Sequence, residues 1–206
     1  MAVLETISLE CTRGDRPLIS GMSFALAAGE LLYVVGSNGS GKTTLLRTLC
    51  GLSRPSAGEV RWNGTNIRAL GDDYRTCLSY VGHSNGIQGE LTPEENLRAA
   101  AHLGGHPDNS KIDYALEHVS LTRFAHLPAK VLSQGQKRRL ALARLLVLSR
   151  TLWILDEPVS GLDVRSVAVI EDLFGEHLAG GGMLVITSHQ ALSWKAKTVN
   201  TISLDS

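Results

Sequence analysis

GSNGSGKT, residues 36 to 43, follows the apolar run Leu31 to Val35 and precedes Leu45, Leu46 and Leu49 at helical spacing. Strand, glycine loop and helix in that order are the context in which G-x-x-x-x-G-K-[ST] reads as a phosphate loop rather than an ordinary turn. Glycines at Gly36, Gly39 and Gly41 let consecutive backbone N–H groups, including those of Ser37, Asn38 and Ser40, curl around phosphate oxygens. The helix that follows adds its positive N-terminal end. Lys42 reaches the β- and γ-phosphates as a point charge, and the Thr43 hydroxyl, with Thr44 beside it, faces the same site. Mg²⁺ is a hard cation that takes such oxygen ligands. The stretch therefore predicts an ATP site with magnesium, formed by Gly36 to Thr44.

Working outward, Val3 to Leu9, Met22 to Leu26 and Leu31 to Val35 read as strands separated by Gly14, Pro17, Gly21 and Gly29. From about Thr92 to Ser149 the pattern turns helical, with Pro93 near a start, a segment Asp113 to Val119, and Gln134 to Leu148. LWILD and MLVIT are uninterrupted apolar runs, as expected for strands covered on both faces of a parallel sheet. Helical segments Val164 to Leu178 and Gln190 to Ala196 follow them. The expectation is one α/β domain over residues 1–206, with a mainly parallel core sheet, an N-terminal antiparallel β part and a helical insertion over about residues 86–150.

LWILDEP places Asp156 and Glu157 at the end of an apolar strand, where ligands gather in open α/β sheets. Asp156 is read as a magnesium ligand with Thr43. Glu157 is read as the group that orients, or takes a proton from, the water attacking the γ-phosphate. An acidic pair at a strand end is otherwise an ordinary turn entry; the phosphate loop is what favours catalysis.

Twenty basic and twenty acidic residues balance, with no block of like charge, so nucleic acid is not an expected partner. Cys11, Cys50 and Cys77 match no metal knuckle or redox pair. No run of about 18 apolar residues is present, so membrane association is expected only through a partner. His102 and His106 are four apart but flank Gly104 and Gly105, which favours a loop over a metal-binding helix face. Trp62, Trp153 and Trp194 are scattered, as packing residues are.

LSQGQ (132 to 136), followed by Lys137, Arg138 and Arg139, SGLD (160 to 163), and His189 after MLVITS complete a set in a fixed order. On these motifs the whole chain resembles the ATP-binding-cassette ATPases, with LSQGQ the most specific part. The resemblance implies a P-loop fold and a head-to-tail homodimer, with ATP held between the phosphate loop of one cassette and LSQGQ of the other. Ser133, Gly135 and Gln136 would then face the γ-phosphate from across the interface. It implies that His189 contacts the γ-phosphate and steadies the water and Glu157, and that Asp163 shapes the dimer contact. Ser133 and Asp163 also read as helix N-caps.

Two positions depart from the family pattern. Arg13, in CTRGDRP, stands where an aromatic usually stacks on adenine, and a guanidinium offers a planar substitute. His83 stands where a glutamine usually lines the magnesium; imidazole is a poor magnesium ligand, so contact with the attacking water or a relay to a partner is expected. The segment YVGHSNGIQGELTPEENL, with CTRG, resembles the ATP-binding subunits of bacterial cytochrome c maturation exporters. That implies a separate integral membrane subunit, a coupling contact near Gly86, Ile87 and Leu91, other cytochrome c maturation proteins as partners, and a place on the cytoplasmic face of the inner membrane. The alternatives are another small exporter, a soluble cassette ATPase of translation or DNA repair, which usually resembles two cassettes in one chain, and a nucleotide sensor without turnover.

Overall fold

The computed structural model describes residues 2–105, 110–188 and 198–205. Strands β1 (Val3–Arg13) and β2 (Arg16–Ala27) form a long antiparallel hairpin, joined across β1 to β4 (Ala57–Trp62) and then β5 (Thr65–Asn66), in the order β2-β1-β4-β5. The hairpin is longer than Val3 to Leu9 and Met22 to Leu26 imply. Pro17 and Gly21, expected between strands, lie inside β2. The reason is position: β2 is an edge strand, where a missing N–H costs no ladder bond.

The second sheet is parallel, in the order β6 (Leu78–Val81), β7 (Leu152–Asp156), β8 (Met183–Thr187), β3 (Glu30–Val35), β9 (Thr198–Ser203). All five residues of β7 and of β8 are buried, which is why LWILD and MLVIT carry no polar alternation. Helix α1 (Lys42–Leu49) leaves β3 through the glycine loop, and the short turns α2 (Ile67–Leu70) and α3 (Asp72–Arg75) connect the two sheets.

The helical insertion consists of α4 (Pro93–Leu103), α5 (Ile112–His118) and α6 (Gln134–Leu148). Thr92 and Glu95 form a capping box at α4, with Pro93 at a position that has no N–H to lose. His102 lies within α4 and Gly104 caps it; His106 is outside the described residues. The C-terminal part of α6, Leu140 to Leu148, is apolar apart from Arg144 because it is buried on two sides. Ala141, Leu142 and Leu145 pack with Trp153 and Leu155 of β7, while Leu140, Ala143 and Val147 pack with Leu97 and Leu116 of the insertion. Helix α7 (Val164–Ala179) covers the same sheet face through Ile170, Leu173 and Phe174. Trp62 and Trp153 are core residues; Trp194 and the segment Gln190 to Ala196 lie outside the described residues. Among the described residues, no helix is long and apolar enough to cross a membrane.

Candidate active site

Strand register brings the site together. Val34 lies beside Thr187, Thr187 beside Asp156, and Leu155 beside Val81, so β3, β6, β7 and β8 end level with one another. The residues beyond those ends enclose a cleft of about 490 Å³ at the carboxyl edge of the sheet. Its floor is Asn38, Gly39 and Gly41 to Thr44; Asp156, Glu157 and Ser160 form one wall; Arg13, Leu18 and His83 reach in from the sides.

The loop leaves little room for a side chain at Gly36 and Gly41. A Cβ on Gly36 would fall 2.5 Å from the Ser40 hydroxyl, and one on Gly41 would fall 3.1 Å from Leu18 at a φ of +106°. Helix α1 begins at that glycine without a side-chain cap, so its first N–H groups keep their capacity for an anion. The Lys42 ammonium spans the loop, donating to the carbonyls of Gly36 at 2.6 Å and Ser37 at 3.0 Å. The buried Ser40 hydroxyl has no hydrogen-bond partner among the described residues. A triphosphate fits this concentration of donors.

Asp156 is 3% exposed and accepts from Thr43 Oγ1 at 2.7 Å through one carboxylate oxygen and from Thr187 Oγ1 at 2.7 Å through the other. The hydroxyl and carboxylate assigned to magnesium are thus neighbours, fixed from behind by a second threonine, and their all-oxygen chemistry suits that cation. Burial, and then the charge of Asp156, push the Tyr80 hydroxyl up to about 12, so it stays protonated beside the carboxylate.

Glu157 sits at φ +50°, left-handed backbone that a non-glycine residue adopts at a cost of about 1–2 kcal/mol. Its N–H donates to Thr187 O at 3.2 Å and Thr187 Oγ1 at 3.0 Å. Glu157 thereby lines the cleft directly after the strand that ends in Asp156. Tyr33 donates to the carbonyl of Ser188 at 2.9 Å, and burial together with the Glu157 charge raises its pKa. His189, the next residue, lies outside the described residues.

The signature residues are elsewhere. Ser133 caps α6, accepting from Gln136 N at 3.2 Å, while Gln136 Oε1 accepts from Ser133 N at 2.8 Å; both side chains serve the cap, and neither lines the cleft. Gly135 abuts the SGLD turn: a Cβ there would meet the Gly161 carbonyl at 3.3 Å. Asp163 caps α7 by accepting from Ser166 N at 2.7 Å, a bond that lowers its pKa. Ile87, expected to face a partner, is half-buried against the cores on both sides of α6.

Three residues at the site escaped the sequence reading. Thr187 ends MLVIT opposite Asp156, a placement that only sheet order reveals. Asp205 accepts from Ser37 N through both oxygens, at 2.7 and 2.9 Å, which lowers its pKa and places a carboxylate at the rim of the phosphate loop. Arg138, read only as part of a basic helix, is buried against the backbone of Asp156 and Glu157.

The family model described as ABC transporter matches residues 19–160. The chain belongs to the ATP-binding-cassette family of ABC transporters. The cassette is 50% identical over 205 residues to the cytochrome c biogenesis ATP-binding export protein CcmA of Nitrosospira multiformis, covering 99% of this chain and 100% of that protein. It is 52% identical over 204 residues to the protein of the same name from Dechloromonas aromatica, covering 98% and 100%. Among solved structures it is similar to a putative ABC transporter ATP-binding protein from Pyrococcus furiosus, with a TM-score of 0.84 and 27% identity over 97% of this chain and 96% of that one. The cassette is therefore an ATP-binding, ATP-hydrolysing subunit of a transporter, and the P-loop α/β fold read from GSNGSGKT is the one observed.

Proposed function

We propose that this cassette powers the ABC exporter of cytochrome c maturation, hydrolysing Mg-ATP between its own phosphate loop and the LSQGQ helix of a second copy. The observation that carries this reading is the closed pair Thr43–Asp156 beside the Lys42 loop, with Glu157 turned over the same cleft. Near-complete coverage of the cytochrome c biogenesis export proteins at about half identity supports the cargo system.

Gly36 to Thr44 would hold the triphosphate, Lys42 the β- and γ-oxygens, and Thr43 and Asp156 the magnesium. Magnesium supplies charge neutralisation on the phosphate oxygens. Glu157 accepts a hydrogen bond from the attacking water, with His189 steadying that water, and His83, at the cleft mouth, senses it or signals to the partner. Arg13, which lines the cleft, would stack its guanidinium on the base. The capped N-terminus of α6, with Ser133, Gly135 and Gln136, would approach the γ-phosphate from the second protomer, and Asp163 would meet its counterpart there. A polytopic membrane subunit and other cytochrome c maturation proteins complete the assembly, at the cytoplasmic face of the bacterial inner membrane.

The test is a pair of variants in the complex purified with the membrane subunit. Lys42→Ala loses ATP binding. Glu157→Gln keeps ATP binding and loses turnover by about 100-fold or more. Native turnover in Glu157→Gln would remove Glu157 from the mechanism, and failure of the wild type to bind Mg-ATP would remove the proposal. Co-purification with ribosomes or DNA instead of a membrane protein would overturn transport.

A further inference from the structure

Arg138 is 4% exposed on α6, and a charge buried to that degree demands compensation. An arginine carries five N–H donors in a rigid fork, and here Nε, Nη1 and Nη2 make five hydrogen bonds between them. Nε donates to Pro158 O at 2.9 Å; Nη2 donates to Asp156 O at 2.6 Å and Glu157 O at 2.9 Å. Nη1 donates to Gly82 O at 2.8 Å and Asn85 Oδ1 at 3.2 Å. Four of the five acceptors are peptide carbonyls. They belong to two segments: the turn that carries Glu157, and the loop that carries His83.

Peptide carbonyls solvate the guanidinium without pairing it to a carboxylate, and each fixes a backbone orientation rather than a side chain. That matters most at Glu157, whose left-handed backbone persists only if its surroundings over-determine it. Thr187 holds its N–H side and Arg138 its carbonyl side. The same helix grips the His83 loop a second time, since Arg144 donates to Asn85 O at 2.8 Å and to Gly86 O at 3.3 Å. Burial lowers the pKa of Arg138, opposed by the charges of Asp156 and Glu157.

We infer that Arg138 is a positioning residue for ATP hydrolysis: its fork locks the Glu157 turn and the His83 loop into one unit with the LSQGQ helix. The inference rests on the assignment of Glu157 to the attacking water. Because Arg138 hydrogen-bonds to no phosphate-loop residue and does not line the cleft, its loss acts on the chemical step and spares ground-state binding. Lysine keeps the charge but has three donors on a single nitrogen, so it cannot reach both segments.

The experiment measures ATP turnover against Mg-ATP concentration for Arg138→Lys in the complex with the membrane subunit, with thermal melting as the check on folding and Glu157→Gln prepared in parallel. The expected result is a kcat lower by about 10- to 100-fold with KM within about 2-fold of native, the pattern of a misplaced catalytic group. Native kcat in folded Arg138→Lys overturns the inference, as does an equal loss carried entirely by KM. If Arg138→Lys does not accumulate folded, Asn85→Ala, which removes one acceptor and no charge, carries the test: a several-fold lower kcat at constant KM supports it, and native turnover overturns it. An inactive Glu157→Gln beside a fully active Arg138→Lys defeats this inference alone, whereas an active Glu157→Gln defeats the reading beneath it.

Discussion

His177 lies flat on Trp153, ring centroids 3.6 Å apart and planes 5° from parallel, with Nε2 3.2 Å from the carbonyl of Met183. Burial, opposed by hydrogen bonds to the backbone of Met183 and Thr151, pushes its pKa down to about 4. The sign follows from which state takes the proton. Above the unfolded value of about 6.5 the ring is neutral in both states and its full contribution is present; as pH falls toward 4, the unfolded chain binds a proton that the folded one refuses. The native state loses up to about 3 kcal/mol over that window. Urea midpoints from pH 7 to pH 4 should fall more steeply for the wild type than for His177→Phe, and parallel curves would refute the assignment. Single residues also mark the limits of reading the chain unaided. Lys42, Thr43 and Asp156 were legible because a motif or a strand end fixes their chemistry. Arg138 was not: a basic residue after LSQGQ resembles a solvated helix face until sheet packing buries it.

At the scale of elements, α6 is shared between two cores, so its packing decides how the helical insertion sits on the catalytic sheet. Leu142 is fully buried among the sheet-side residues. Leu142→Ala should cost about 2–5 kcal/mol in urea or thermal unfolding. A loss below 1 kcal/mol would mean that this face of α6 contributes little. Long segments such as Gln134 to Leu148 are legible because a capping serine precedes a nearly unbroken run of helix-forming residues. The stretch from Ala57 to Arg75 is not: β5, α2 and α3 are too short for any period to emerge, and the strands there are fixed by pairing, β4 with β1 and β5 with β4. The hairpin runs longer than its apolar residues suggest for a related reason, since Pro17 is a breaker in a central strand and harmless at an edge.

At the scale of the whole molecule, the proposed function divides each catalytic unit between two copies of the chain. The phosphate loop and the Ser133 cap belong to one chain, yet the cap does not line that chain's own cleft. Glu157→Gln with Mg-ATP should therefore shift the cassette from monomer toward dimer in light scattering, and Ser133→Arg, which adds bulk and charge at the cap, should abolish the shift. A monomer that turns over ATP at the rate of the assembled complex would contradict the two-copy site. Sheet order has a different consequence, for synthesis. β3, which carries the loop, has β8 and β9 as its neighbours, and both follow residue 182. A ribosome must translate beyond residue 182 before that strand acquires either flank, so products terminated earlier emerge without a supported nucleotide cradle and have no means of drawing on the cell's energy supply.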